Sequence, residues 1–248
     1  MECLRNSQFF RRRALIAVGI VALAMTVSPS AMATLTGTMP VTPGTQVFPG
    51  LITPGTDPGT LLASMDAPWT FSTTAGTTSG QLYSAVFQEM GGTLDFYYQV
   101  LNDAGSATSL ERESSTNFIG YSNPAFVGYW LDGSTLPTTC TNSPCQVSAW
   151  QTGDVAPSTA DVSPDGSTVG FNFCSGTGCN GRILQGQSSS VLVISTTATS
   201  YSLGNAELLD GGSVTVAAFQ PAPEPASLAL IGGGLLLLAG FRKAVKKH

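Results

Sequence analysis

Histidine is almost missing from this chain: among 248 residues the sole one is His248. Lysine occurs only as Lys243, Lys246 and Lys247. From Thr34 to Ala222 the cations are Arg112 and Arg182, set against thirteen aspartates and glutamates, a net charge of −11 that the whole-chain value of −5 conceals. Each shortage excludes something. Ser-His-Asp and Cys-His nucleophilic mechanisms need an imidazole base, and Schiff-base or Ser-Lys mechanisms need an amine, so this stretch supports neither. Nucleic acid and anionic headgroups are excluded as partners, because displacing their counterions takes Lys and Arg. No sustained helical period is found between the two ends of the chain, and no cofactor fingerprint.

What charge and long apolar runs there are collect at the termini. Arg11-Arg12-Arg13 precedes an apolar stretch from Ala14 to Val27, followed by Ser28-Pro29-Ser30 and then Ala31-Met32-Ala33. A basic start, an apolar run of this length and small residues at Ala31 and Ala33 describe a secretory signal peptide over residues 1–33, cut by signal peptidase before Thr34. The general secretory route is favoured over the twin-arginine route, since arginines before an apolar run are ordinary. Cys3 precedes the apolar run and has no place in a lipoprotein signal.

The other end has three parts: Pro223-Glu224-Pro225, the apolar segment Ala226 to Phe241, and a basic end with Arg242, Lys243, Lys246 and Lys247. The prolines fix φ near −65° and push their preceding residues toward extended geometry, so Glu224 sits on a stiff, non-helical stretch that a processing enzyme can reach. As a helix the apolar segment would rise roughly 24 Å, short of the ~30 Å hydrocarbon core, with the cations stopping transfer. Gly232, Gly233 and Gly234 together make it a thin anchor. This tail, residues 221–248, resembles the PEP-CTERM sorting signal of exported bacterial proteins. The resemblance covers about the last 25 residues and implies recognition by an exosortase, a membrane-embedded enzyme that cuts near the motif, after transient anchoring through the C-terminal helix. It also implies an exopolysaccharide or biofilm setting.

Between the ends the composition favours strands and turns. Residues 34–60 carry Pro43-Gly44, Pro49-Gly50, Pro54-Gly55 and Pro58-Gly59, pairs suited to type II turns, and read as an extended lead-in arm. Residues 61–220 read as an antiparallel β-sandwich of about eight or nine short strands. Candidate strands are Trp69–Thr73, Leu82–Gln88, Leu94–Leu101, Thr116–Tyr121, Phe126–Leu131, Val169–Phe173, Val191–Thr196, Ser200–Leu203 and Ser213–Phe219. The clearest places Leu94, Phe96, Tyr98 and Val100 on one face and Asp95, Tyr97, Gln99 and Leu101 on the other.

Four cysteines lie in this body as Cys140-x₄-Cys145 and Cys174-x₄-Cys179. An even count in an exported domain predicts two disulfides, each pair closing its own small loop, and this outweighs a Cys₄ zinc site. Four cysteines still allow three pairings.

The remaining candidates are acidic or aromatic. Glu111 and Glu113 share a strand face and Asp161 and Asp165 flank a Ser-Pro turn; either pair has the two carboxyl groups a glycosidase requires, although such pairs are usually solvated surface. Asp161 and Asp165 are also the best calcium candidates, weighed against a simple turn at Asp165-Gly166. Tyr97, Tyr121, Tyr129 and Trp130 are candidates for stacking on sugar rings, weighed against burial in the core. The expectation is therefore a non-enzymatic surface or matrix protein with a structural or adhesive role. A polysaccharide-binding module is the alternative, and an acidic-pair glycoside hydrolase stands behind it.

Overall fold

A computed structural model describes residues 35–174 and 181–222. The predicted signal-peptidase positions Ala31 and Ala33, the sorting motif Pro223-Glu224-Pro225, the stop-transfer residues Arg242, Lys243, Lys246 and Lys247, and Cys179 lie outside the described residues.

Period-two alternation governs the described chain, and all its regular structure is extended. In chain order the strands are β1 (Met39–Val41), β2 (Gln46–Val47), β3 (Gly50–Leu51), β4 (Thr60–Thr73), β5 (Gly76–Gln88), β6 (Leu94–Asn102) and β7 (Arg112–Thr116). They continue as β8 (Ala125–Trp130), β9 (Thr159–Val162), β10 (Thr168–Asn172), β11 (Val191–Ser195), β12 (Tyr201–Leu209) and β13 (Ser213–Pro221). No helix occurs among the described residues, so none there is long and apolar enough to cross a membrane.

Two sheets result. One runs β1-β8-β11-β6-β5-β4, with β3 added in parallel beside β8; the other runs β13-β12-β7-β10-β9-β2. All other strand pairings are antiparallel. Inward residues of both sheets form one core: Leu94, Phe96, Tyr98 and Val100 from β6 meet Val169, Phe171, Ala206, Leu208 and Phe219. Buried polar links join the layers, as the Tyr98 hydroxyl donates to the Phe219 carbonyl at 2.6 Å and the Phe219 amide donates to Ser84 Oγ at 2.9 Å.

Several elements depart from expectation. The stretch between the candidate strands Trp69–Thr73 and Leu82–Gln88 is mostly strand: β4 and β5 are one long hairpin, closed where Thr73 pairs with Gly76. Thr116–Tyr121 is not a strand, because β7 ends at Thr116, Asn117 turns to φ 66°, and the Tyr121 amide closes a turn onto the Phe118 carbonyl. The lead-in is not a free arm. β1 extends one sheet and β2 the other, so residues 39–51 stitch both layers.

The outer face of the seven-stranded sheet is covered as well. A second cluster packs Ala85, Phe87, Tyr97, Trp130, Val191 and Val193 under Leu35 and Ile52 of the lead-in and under Leu136, Val147 and Trp150 of a long loop, residues 131–155. β6 is thus buried on both faces, which explains why its second face carries Tyr97 as well as polar residues. Gln99 anchors the loop: its Nε2 donates to the carbonyls of Gln151 and Ser189, each at 2.9 Å, and its Oε1 accepts from the Gln151 amide.

Candidate functional site

The loop that covers β6 is pinned by a disulfide between Cys140 and Cys145, with α-carbons 5.7 Å apart. It also shields the edge strand β4. The Thr141 and Asn142 amides donate to the carbonyls of Leu61 and Leu62, the Ser64 amide donates to Pro144, and the Gln146 amide donates back to Ser64. An uncovered β edge is a template for pairing with other chains, so this cover removes a hazard. Cys174 is disulfide-bonded too.

Asp161 and Asp165, the calcium candidates weighed against a simple turn, do two unrelated jobs. Asp161, on β9, receives both guanidinium nitrogens of Arg112 at 2.6 and 2.8 Å and the Asn172 amide nitrogen at 2.7 Å. Burial alone would raise its pKa, but those hydrogen bonds and the Arg112 charge hold it below the ordinary carboxylate value. Asp165 organises a turn. It accepts from the Ser163 hydroxyl and from the Ser167 amide and hydroxyl, and these bonds hold it down at about 2. Gly166 follows in this turn at φ 74°.

Arg112 and Asp161 belong to a polar ladder across the outer face of the six-stranded sheet. Gln46 Nε2 donates to Thr159 Oγ1, Asn172 Nδ2 reaches both Thr159 and Asp161, and Arg112 also donates to Asn172 Oδ1. An open trough of about 620 Å³ lies over it, lined by Gln46, Thr159, Asp161 and Asn172 among others. The guanidinium lies flat across β10 because residue 170 is glycine; a Cβ there would stand 2.0 Å from Arg112 Nη2.

Glu111 and Glu113 do not act as a pair. Glu111, just before β7, is half-exposed and ion-paired with Arg182. Glu113 points into the core, fully buried, accepting from the Ser115 hydroxyl at 2.6 Å while Oε2 has no partner. Burial raises its pKa to about 7 against the opposing Ser115 bond and Arg112 charge.

The aromatic candidates are mostly core. Tyr97 is 0% exposed and Trp130 2%, which removes both as sugar platforms in this conformation. Tyr121 packs against the core with its hydroxyl donating to the Ala222 carbonyl, and Tyr129 is half-exposed.

An arrangement that the spacing of the sequence did not reveal sits where the β5–β6 hairpin closes. Asp95, on β6, is 0% exposed and has Ser195 of β11 on one side and Phe87 of β5 on the other. Glu89, first residue of the hairpin turn, faces it. Asp95 meets the side chains of Glu89 and Ser195, and the Tyr97 hydroxyl meets Trp130, in contacts looser than an ideal hydrogen bond. Burial, then Glu89, raise the Asp95 pKa well above its ordinary value while Ser195 opposes; Tyr97 is raised as well, by burial and then by the Asp95 charge. Asp57 also acts electrostatically on Tyr97, from an exposed turn in which its Oδ1 accepts the Gly59 amide at 2.9 Å. Gly59 permits that approach, since at φ 82° a Cβ would lie 2.4 Å from the Gln88 carbonyl oxygen. The only sequence signal was an aspartate on the strand face that also carries Tyr97 and Gln99, which alternation alone assigns to solvent.

No known protein family, curated protein or solved structure matches this chain.

Proposed function

We propose that the chain is an exported, exosortase-sorted protein of the cell surface or extracellular matrix, with a structural or adhesive role in an exopolysaccharide or biofilm setting, and that it is not an enzyme. The observation that carries this reading is the pairing of a secretory start, residues 1–33, with the Pro223-Glu224-Pro225, apolar and basic tail. The body supports it. A disulfide-pinned loop suits an oxidising compartment, and a two-layer all-β body ahead of the tail is the architecture expected of such an ectodomain. In this reading signal peptidase acts before Thr34, the C-terminal helix holds the protein in the membrane briefly, and exosortase removes the helix and its basic end.

The test is the C-terminus of the mature protein, read by mass spectrometry from an exosortase-bearing host. The expected outcome is exported material lacking residues 226–248 and, for Glu224→Ala, retention of the tail in the membrane fraction. Cytosolic material that keeps residues 1–33 and 226–248 would overturn the proposal.

A polysaccharide-binding role remains as a second reading because of the trough over Gln46, Thr159, Asp161 and Asn172. Planar amides and a carboxylate converging on one surface match the hydroxyl edges of a sugar. Gln46→Ala with Thr159→Val should abolish glycan retention on affinity electrophoresis while leaving Tm nearly unchanged; unaltered retention would discard this reading.

A further inference from the structure

We propose that Met90 and Ile119, at the end of the body where the tail leaves, rest among the neutral headgroups of the bilayer that holds the C-terminal segment. The proposal rests on the anchor reading of the tail given above.

The fold decides where the tail departs. β13 pairs with β12 as far as Pro221, opposite Tyr201. Ala222 is then fastened, its amide donating to the Ser200 carbonyl and its carbonyl accepting from the Tyr121 hydroxyl, both at 3.0 Å. Only Pro223, Glu224 and Pro225 separate it from the apolar segment that begins at Ala226. Four peptide units reach at most about 14 Å. The headgroup layer on each side of the hydrocarbon is itself about 5 to 8 Å thick. Once the apolar segment is in the bilayer, loops that share an end with Ala222 stand at its surface.

The strand ladders show which loops those are. β11 ends at Ser195 and β12 begins at Tyr201, so the turn of residues 196–200 lies at this end. The Leu94 amide donates to the Ala198 carbonyl, which sets the β5–β6 hairpin tip beside that turn. β7 stops next to β12, where the Thr116 hydroxyl donates to the Asn205 carbonyl, and the turn that follows carries Ile119 and Tyr121. Two of these loops present apolar side chains to solvent: Met90, 100% exposed at the hairpin tip, and Ile119, 64% exposed beside the Tyr121 clamp. Neither packs on the core, and contact with lipid would remove both from water.

Charge selects the kind of headgroup. Both arginines of the described body lie toward the opposite end, Arg112 across from Leu209 and Arg182 paired with Glu111. The end that carries Ala222 has acids instead: Glu89 at the hairpin, Asp57 in the turn whose Gly59 abuts Gln88, and Asp165 in the turn that Ser122 and Phe118 hold. Anionic lipid would repel this end, so the contact is apolar and suits zwitterionic headgroups. The β4–β5 turn at Ala75 lies at the other end of β5, about 40 Å away, and marks the part of the body that stands clear.

The experiment places an environment-sensitive dye on Met90→Cys, Thr199→Cys or Ala75→Cys in the tail-bearing chain, reconstituted in phosphatidylcholine vesicles that contain a headgroup-level nitroxide lipid. Flotation of the vesicles reads the anchor and quenching of the dye reads the contact. Quenching at positions 90 and 199 should exceed that at 75 by roughly threefold or more, since a nitroxide acts only at short range and the other end of β5 is far from the headgroups. With the dye at position 199, Met90→Asp combined with Ile119→Asp should cut quenching roughly in half while Tm is unchanged, because both side chains are exposed. A chain that floats with equal quenching at all three positions overturns this proposal and leaves the anchor reading intact; a chain that does not float overturns both. Unchanged quenching in the double variant would show that the tether alone holds the end there, and quenching that requires exosortase in the vesicles would assign the face to that enzyme. Either result overturns the lipid contact.

Discussion

Glu113 shows how one residue can govern pH dependence without taking part in any chemistry. Its carboxyl lies in the core beside Ser115 and Tyr98, with Arg112 the nearest cation and on the opposite face of β7. Its folded pKa of about 7 exceeds the ordinary value of 4.5, so the folded state keeps the proton that the unfolded chain releases. The stabilising contribution is therefore complete below about pH 4.5, is lost as pH rises toward about 7, and levels off above. The amplitude is about 3 kcal/mol. Glu113→Gln should flatten that part of the profile, making the variant more stable than wild type at pH 8 by an amount absent at pH 4, as urea melts at the two pH values would show. A parallel profile in the variant would refute this. Gly170 makes the opposite kind of claim, since it is needed for what it leaves out. Gly170→Ala should lift the Arg112 guanidinium from β10 and break its fork to Asp161, costing about 1 to 2 kcal/mol because the pair is about a quarter exposed. If chemical denaturation finds the variant as stable as wild type, the ladder across that face contributes little.

At the scale of elements, legibility followed how far a pattern depends on its own neighbours. β6, β10 and β11 stood out because their inward residues alternate with β-branched and aromatic types, and the core uses those residues. β9 escaped notice because Thr159-Ala160-Asp161-Val162 is short and only half apolar, and its identity as a strand comes from pairing with β10 and β2. The burial of Tyr97 and Trp130 was also hidden in the sequence, since it depends on the loop at residues 131–155 folding back over β6 from far along the chain. That loop has a testable mechanical character. Its disulfide closes a ring of only a few residues, so a loop-entropy estimate gives it about 2 kcal/mol. Replacing Cys140 and Cys145 by serine should loosen the cover before the sheets come apart. Trp150, now 3% exposed, should then show red-shifted fluorescence, and β4, freed at its edge, should promote self-association visible by light scattering. Unchanged fluorescence and a monodisperse variant would mean that the Gln99 clamp holds the loop without the bond.

For the molecule as a whole, the lopsided charge and the buried polar groups are separate matters, and salt distinguishes them. The sequence displays the first openly: two arginines against thirteen acids in the body. It concealed the second, because the convergence of Glu89 and Asp95 depends on β6 lying between β5 and β11 with Ser195 in register. Both arginines are spent on ion pairs, leaving most acids without a cation, so the net electrostatic self-energy of the folded body is repulsive. Monovalent salt weakens the two attractive pairs and the far more numerous repulsive ones together. The screening length falls from about 10 Å at 0.1 M to about 3 Å at 1 M. Repulsions between dispersed surface carboxylates act over that range, whereas the Arg112 pair is in direct, partly buried contact and is screened less. Sodium chloride should therefore raise Tm by a few degrees between these concentrations. Asp95→Asn should retain that response, since its carboxyl is enclosed in protein and the salt effect arises at the surface. A Tm that falls with salt would show that the two arginine pairs outweigh the excess negative charge, and that the acidic body is held together by its few cations after all.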